Sequence, residues 1–409
     1  MENINSISDI EKIYIIQPII DDHYKSLQKE AVSLIESSGA LYAGTIYQKI
    51  REINPATYIG YGKLAELRER LLNLDVTILF NGELSPSQTL NISAALDGKK
   101  VIDRTTLILA IFAKNAKTNE GKIQVELAQL KYIYPRLKGK GEGLSRLGGG
   151  IGTRGPGETK LETDRRKIRV RISYLEDKLR QIESTRALIS YRRKRDSVKM
   201  ISLIGYTNTG KSTLLNLLTK ADVYAENKLF ATLDPTSRKF TIDGSSFLLT
   251  DTVGFLRDLP HNLISAFHST LESALNCDLA LIVCDASDDY EMQLETTLKT
   301  IEQLNKQIPY LVVMNKSEKV QNFEAYPTNS IFISAKFNLG IENLKNEILH
   351  FFCSHYTDVT LSVPYSEFAA YNQLKKYLDE KSAVYTDDCV KISARINNDY
   401  LSKFNRYIK

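Results

Sequence analysis

"MISLIGYTNTGKSTLLNLLTK", residues 200–220, joins an apolar run to a glycine-bounded loop and then to a helical run. Positions 205–212 spell GxxxxGK[ST] in full, with the strand before and the helix after that this motif requires. In such a loop, which runs from Gly205 through Tyr206, Thr207, Asn208, Thr209 and Gly210, backbone N–H groups bind phosphate oxygens. The N-terminus of the following helix adds its own donors and its dipole. Lys211 supplies a point charge at the β- and γ-phosphates, and the Ser212 hydroxyl is a Mg2+ ligand. The stretch implies an α/β domain with a mostly parallel sheet and flanking helices.

Three further elements follow in the order a GTP site needs. "DTVGF" (251–255) closes the apolar run "SFLLT". There Asp251 reaches Mg2+ through water, Thr252 and Val253 continue the stretch, and the Gly254 amide senses the γ-phosphate. "NKSE" (315–318) closes "YLVVM", so that Asn315 and Glu318 read the guanine edge, Lys316 packs along the base and Ser317 separates them. "SAK" (334–336) closes "IFI", and Ser334, Ala335 and Lys336 offer a backbone amide to the guanine oxygen. The usual guanine motif ends in aspartate; Glu318 keeps the carboxylate on a longer arm, at ~1 kcal/mol of selectivity if the geometry does not adjust.

"FATLDPTSR" (230–238) lies where a nucleotide-sensing switch belongs, and it brings Phe230, Ala231, Thr232, Leu233 and Asp234 to the site. Thr232 is the candidate that completes Mg2+ coordination, the alternative being that it caps a turn. Lys211, Thr232 and Gly254 thus form the catalytic set. Position 255 is Phe, which cannot orient water, so intrinsic hydrolysis is expected to be slow and helped by a partner. Arg257 reads as an exposed arginine more readily than as an arginine finger, and His261 and His268 as surface or packing residues.

Upstream, residues 12–118 alternate strand and helix, which implies a small parallel sheet; Ser85 and Pro86 mark one helix start. Ile123, Leu127, Leu130, Tyr134 and Leu137 then repeat at coiled-coil spacing, as do Ile168, Ile172, Leu175, Leu179 and Ile182. These two seams predict an antiparallel helical hairpin, with Pro135 kinking or ending its first helix. Between them lies "GGGIGTRGPGETKLETDRR" (148–166), in which Gly150, Gly152 and Gly155 spell GxGxxG. No buried strand precedes that pattern, so it reads as a hairpin tip and not as a dinucleotide cradle, with Thr159 and Glu162 forming a capping box.

Residues 131–195 carry 19 Lys/Arg against 7 Asp/Glu, while the rest of the chain holds 35 against 42. A basic arm on a mildly acidic protein points to a nucleic-acid partner. Apolar content of 43% and charged content of 25% are those of a soluble protein, and no apolar run is long enough to span a bilayer. The start of the chain has no secretion signal, and Cys277, Cys284, Cys353 and Cys389 lack metal-ligand spacing, as expected of cytoplasmic thiols. The expected organisation is α/β throughout: an N-terminal α/β domain (1–118), a basic helical hairpin with a Gly-rich tip (119–197), a P-loop GTPase domain (198–356) and a small α+β C-terminal domain (357–409).

Together with "GKIQVELAQL" (121–130), "LSPSQTLNI" (84–92) and "VIDRTTLILAIFA" (101–113), these motifs resemble the HflX family of translation-associated GTPases over residues 12–350. The resemblance implies a cytoplasmic, monomeric GTPase that binds the large ribosomal subunit and splits or rescues idle or stalled ribosomes. It implies that Gly149, Gly150, Gly152 and Gly155 let backbone approach ribosomal RNA, with Arg154, Arg165, Arg166, Lys167 and Arg169 on its phosphates. It also implies a K+ ion on Asn208, as in some related GTPases. The competing expectation is an RNA-binding assembly factor in which GTP hydrolysis only times release.

Overall fold

The computed structural model describes residues 10–20, 23–137, 156–195, 199–219, 229–230, 236–243, 245–252, 254–255, 275–304, 307–323, 326–327, 329–354 and 356–408. The chain divides into two compact units. The first comprises Met1–Gln181, Ala225–Asp234 and Val253–Leu271; the second comprises Ile182–Tyr224, Pro235–Thr252 and Glu272–Lys409. Among the described residues, no helix is long and apolar enough to cross a membrane.

The first unit holds a four-stranded parallel sheet in the order β2-β1-β3-β4, formed by Lys12–Ile19 (β1), Leu41–Lys49 (β2), Thr77–Phe80 (β3) and Val101–Asp103 (β4). Ile13, Tyr14, Ile15 and Ile16 of β1 are buried in succession, the unbroken apolar pattern of a strand covered on both faces. The helices that follow each strand supply that cover: Tyr24–Ser38 (α1), Tyr61–Arg70 (α2), Pro86–Ala95 (α3) and Arg104–Asn115 (α4). Helix α3 starts as its sequence dictates, with Ser85 and Gln88 closing a capping box around Pro86. At the carboxyl ends of the strands, Arg104 Nη2 meets Glu30 Oε1 at 2.5 Å, and its Nη1 donates to Asn81 Oδ1 at 2.9 Å. Beside them Asp103 caps α4 and accepts from Tyr132 and Arg136 of Asn119–Arg136 (α5), which ties that helix to the sheet.

Helix α5 pairs with the 40-residue helix Pro156–Arg195 (α6). Ile123, Leu127, Leu175 and Leu179 of the expected seams are buried, and ion pairs join Lys131 to Glu176 at 2.8 Å and Arg171 to Glu126 at 2.7 Å. Pro135 lies in the last turn of α5, which stops at Arg136, so it ends the helix and does not kink its middle. The capping-box reading of Thr159 is corrected. Helix α6 already begins at Pro156, where a proline's fixed φ and missing N–H suit the first helical position.

One short segment from the middle of the chain belongs to this first unit. The Leu229 N–H donates to Ser37 Oγ at 2.9 Å, and Asn115 Nδ2 donates to the Phe230 carbonyl at 2.8 Å. The buried Phe230 ring stands edge-on to Phe112 at 4.4 Å.

The second unit carries a six-stranded sheet in the order β10-β9-β8-β5-β7-β6. Its strands are Lys199–Ile204 (β5), Thr236–Ile242 (β6), Ser245–Asp251 (β7), Leu279–Asp285 (β8), Tyr310–Asn315 (β9) and Ile331–Phe332 (β10). All neighbours run parallel except β6 and β7. Leu214 and Leu215 of Lys211–Thr219 (α7) and Leu344, Ile348 and Phe352 of Ile341–Ser354 pack on Ile201, Leu203, Leu281 and Val313, so the core holds the strand ends in fixed register. A three-stranded antiparallel sheet follows: Tyr356–Pro364 (β11), Leu378–Tyr385 (β12) and Cys389–Asn397 (β13), in the order β11-β13-β12. A short helix, Phe368–Leu374, precedes β12, whose sequence is "LDEKSAVY". Pairing with β13, which sequence spacing does not disclose, makes this charged run a strand.

Candidate guanine-nucleotide site

The phosphate loop turns off β5 at Gly205, whose φ of +148° and nearness to the Val283 carbonyl leave no room for a side chain: a Cβ there would lie 2.2 Å from that oxygen. Thr209 Oγ1 donates to the Tyr206 carbonyl at 3.0 Å and holds the loop closed. Lys211 is buried, and its Nζ donates to the carbonyls of Gly205 at 3.1 Å and Tyr206 at 2.5 Å. Burial pushes the Lys211 ammonium down to about 8, against the opposing pull of the Asp251 charge. Ser212 Oγ donates to Asp251 Oδ2 at 2.6 Å, while Asp251 Oδ1 accepts from the Thr252 N–H at 2.9 Å. A hydroxyl from the start of the helix Lys211–Thr219 and a buried carboxylate from the end of β7 therefore meet beside the loop. These are hard oxygen donors of the kind that Mg2+ takes, directly or through water.

The base half of the site grows from β9. Asn315 Nδ2 donates to the Thr209 carbonyl at 2.7 Å, and Asn315 Oδ1 accepts from the Ala335 N–H at 2.9 Å. One buried amide thus links the phosphate loop, the end of β9 and the "SAK" turn. Lys316, with φ +61°, sends Nζ to the Asn208 carbonyl at 2.9 Å and to Asp285 Oδ2 at 2.6 Å. The Ser317 N–H donates to the Ile333 carbonyl at 3.1 Å, and Glu318 stands exposed in the short turn that follows. Ser334 is buried, whereas Lys336 is exposed with its ammonium over the Phe337 ring.

The second unit therefore brings together Gly205, Tyr206, Thr207, Asn208, Thr209, Gly210, Lys211, Ser212, Asp251, Thr252, Asn315, Lys316, Ser317, Glu318, Ser334 and Ala335. Phe230 and Gly254 are buried and belong to the first unit, as does Phe255. Ala231, Thr232, Leu233, Asp234, Val253, Arg257, His261 and His268 lie outside the described residues. So do Gly149, Gly150, Gly152, Arg154 and Gly155 of the hairpin tip. Of the basic residues on α6, Arg166 and Lys167 are exposed. Arg169 donates twice to Tyr134 Oη, at 3.1 and 2.6 Å, which lowers the phenol's pKa, and the Arg165 guanidinium lies 5.2 Å from that ring. Asp285 is a contact that motif reading passed over; its only sequence signal is an acid closing the buried run "LALIVC".

Three family models match consecutive stretches of the chain. They are a GTP-binding GTPase N-terminal model (residues 25–113), a GTP-binding GTPase middle-region model (115–195) and a model described as a 50S ribosome-binding GTPase (200–316). The GTPase HflX of Caldanaerobacter subterraneus subsp. tengcongensis is 44% identical over 384 residues, covering 93% of this chain and 89% of that protein. The GTPase HflX of Alkalihalophilus pseudofirmus is 46% identical over 336 residues, covering 80% and 79%. Among solved structures, a GDP complex of SsGBP is 25% identical, with a TM-score of 0.49 over 84% of this chain and 98% of that one. On the identity to these GTPases, sustained along most of both sequences, the chain belongs to the HflX family of GTPases.

Proposed function

We propose that this protein hydrolyses GTP on the large ribosomal subunit and uses the nucleotide state to control its hold there, splitting or rescuing idle or stalled ribosomes. One observation carries the nucleotide reading: the Asn315 amide joins the phosphate loop to the turn at Ala335, so phosphate and base recognition share one rigid frame. On this reading Lys211 stabilises the charge that develops on the transferred phosphoryl group. Ser212 and Thr232 would hold a Mg2+ ion, which would offset the charge of the phosphates. The Gly254 amide registers the γ-phosphate, and Asn208 holds a K+ ion; a rate equal in Na+ and K+ overturns that last assignment. The basic hairpin and the family description of a 50S ribosome-binding GTPase support the ribosomal partner. The reading makes the protein a cytoplasmic monomer in which residues 1–197 face RNA and 198–356 turn over nucleotide.

The test is GTP turnover by the purified protein, alone and with purified large ribosomal subunits, with ATP as control. Stimulation of at least tenfold is expected, with loss of stimulation in a Gly152→Ala/Arg154→Ala variant. Unstimulated turnover together with unchanged RNA binding overturns the ribosome-coupled reading and leaves the assembly-factor one.

A further inference from the structure

We propose that Asp285, outside the phosphate, magnesium and guanine motifs, is a positioning residue for base recognition: it fixes Lys316, and through Lys316 the turn that presents Glu318. This rests on the guanine-site reading above. Strands β8 and β9 run parallel with Asp285 opposite Asn315, so Asp285 and Lys316 leave the sheet side by side. They leave it at the carboxyl ends of the strands, where α/β sheets bind their ligands.

The carboxylate is gripped from two directions. Its Oδ2 accepts from Lys316 Nζ at 2.6 Å, with the two side chains only 14% and 23% exposed. Its Oδ1 accepts from the Ser287 N–H at 3.0 Å and from Ser287 Oγ at 2.7 Å. The Asp285 N–H is itself held by Gln293 Oε1 at 2.8 Å. Asp285 is therefore fixed by its own loop before it engages Lys316. Lys316, by contrast, sits at φ +61° and ψ +33°, a conformation that non-glycine residues hold only when their surroundings impose it. Asp285 and the Asn208 carbonyl, both bonded to Nζ, are the side-chain part of that imposition.

The turn Ser317–Lys319 starts at this residue and carries Glu318. A glutamate has one more rotatable bond than the aspartate of the usual motif, so its aim depends more heavily on where its backbone is held. Lys316 also lies along the base face in the proposed site, so a displaced ammonium moves its stem. Loss of Asp285 then weakens every base somewhat and guanine most.

The experiment uses the full chain and measures Kd for GDP, for inosine diphosphate, which lacks the 2-amino group, and for ADP. Melting of the nucleotide-free protein is followed in parallel. Asp285→Ala is expected to weaken GDP about tenfold and inosine diphosphate about threefold, so that discrimination falls. Asp285→Asn keeps a neutral acceptor for Lys316 and is expected midway, which preserves the test if the alanine variant folds poorly. Ser287→Ala removes the Oγ bond to Oδ1 but keeps the Ser287 N–H bond and the Lys316 contact, so its affinities are expected to fall less than about twofold. A parental GDP-to-inosine ratio in Asp285→Ala overturns the proposal, as does equal weakening in Ser287→Ala, which would mark a general loop effect. Parent protein that binds ADP as tightly as GDP overturns the guanine reading itself, a result distinct from either.

Discussion

Exchanging Lys211 for methionine is expected to reduce GTP turnover by two to three orders of magnitude or more, the usual effect of removing one preorganised charge donor from a transition state. The buried ammonium also marks the protein's pH dependence. Its pKa lies at about 8 in the folded chain against an ordinary 10.5, because burial disfavours the charged form. Below pH 8 both folded and unfolded chains carry the proton, and the folded chain bears the full unfavourable effect of a buried charge. Between about 8 and 10.5 the unfolded chain binds the proton and the folded chain does not. Stability from this group therefore rises with pH across that window. The parent is expected to gain up to about 3 kcal/mol there that Lys211→Met does not. Denaturant melts of both proteins at pH 7.5 and 10 check this, and parallel changes in the two would show that Lys211 is not buried as described.

The same lysine shows how much of the site was legible in the sequence. The loop from Gly205 to Ser212 and the three downstream motifs each sit at the end of a strand that its apolar run already announced. Chemistry tied to a strand end is local, and local pattern reads well. Asp285 was not legible, because its partner Lys316 is 31 positions away and meets it only through the pairing of β8 with β9. Phe230 is a subtler case. Its motif named it as part of a nucleotide switch, but nothing local reveals that its ring meets Phe112 and its carbonyl meets Asn115. Strand β12 is not legible locally for the same kind of reason, its identity resting on β13 and not on its own charges.

Alanine at Gly210 is expected to disable both halves of the nucleotide site at once, lowering GDP affinity at least 100-fold while the protein still folds. Gly210 has φ +90°, and a Cβ there would lie 2.3 Å from Asn315 Nδ2. That amide cannot simply swing aside, since it donates to the Thr209 carbonyl at 2.7 Å and its oxygen accepts from the Ala335 N–H at 2.9 Å. Moving it breaks the link between phosphate loop and base turn and leaves buried polar groups unpaired, so a stability loss of about 2–4 kcal/mol accompanies the loss of binding. Gly98 separates this effect from backbone strain alone. It also has positive φ, at +78°, but nothing lies within 4 Å of its Cβ position. Gly98→Ala is expected to cost only about 1 kcal/mol and to leave GDP affinity unchanged. Titration with GDP and urea melts of the two variants give both numbers. Should Gly210→Ala bind GDP like Gly98→Ala, the Asn315 amide would not be the element that joins phosphate to base, and the two halves of the site would act independently.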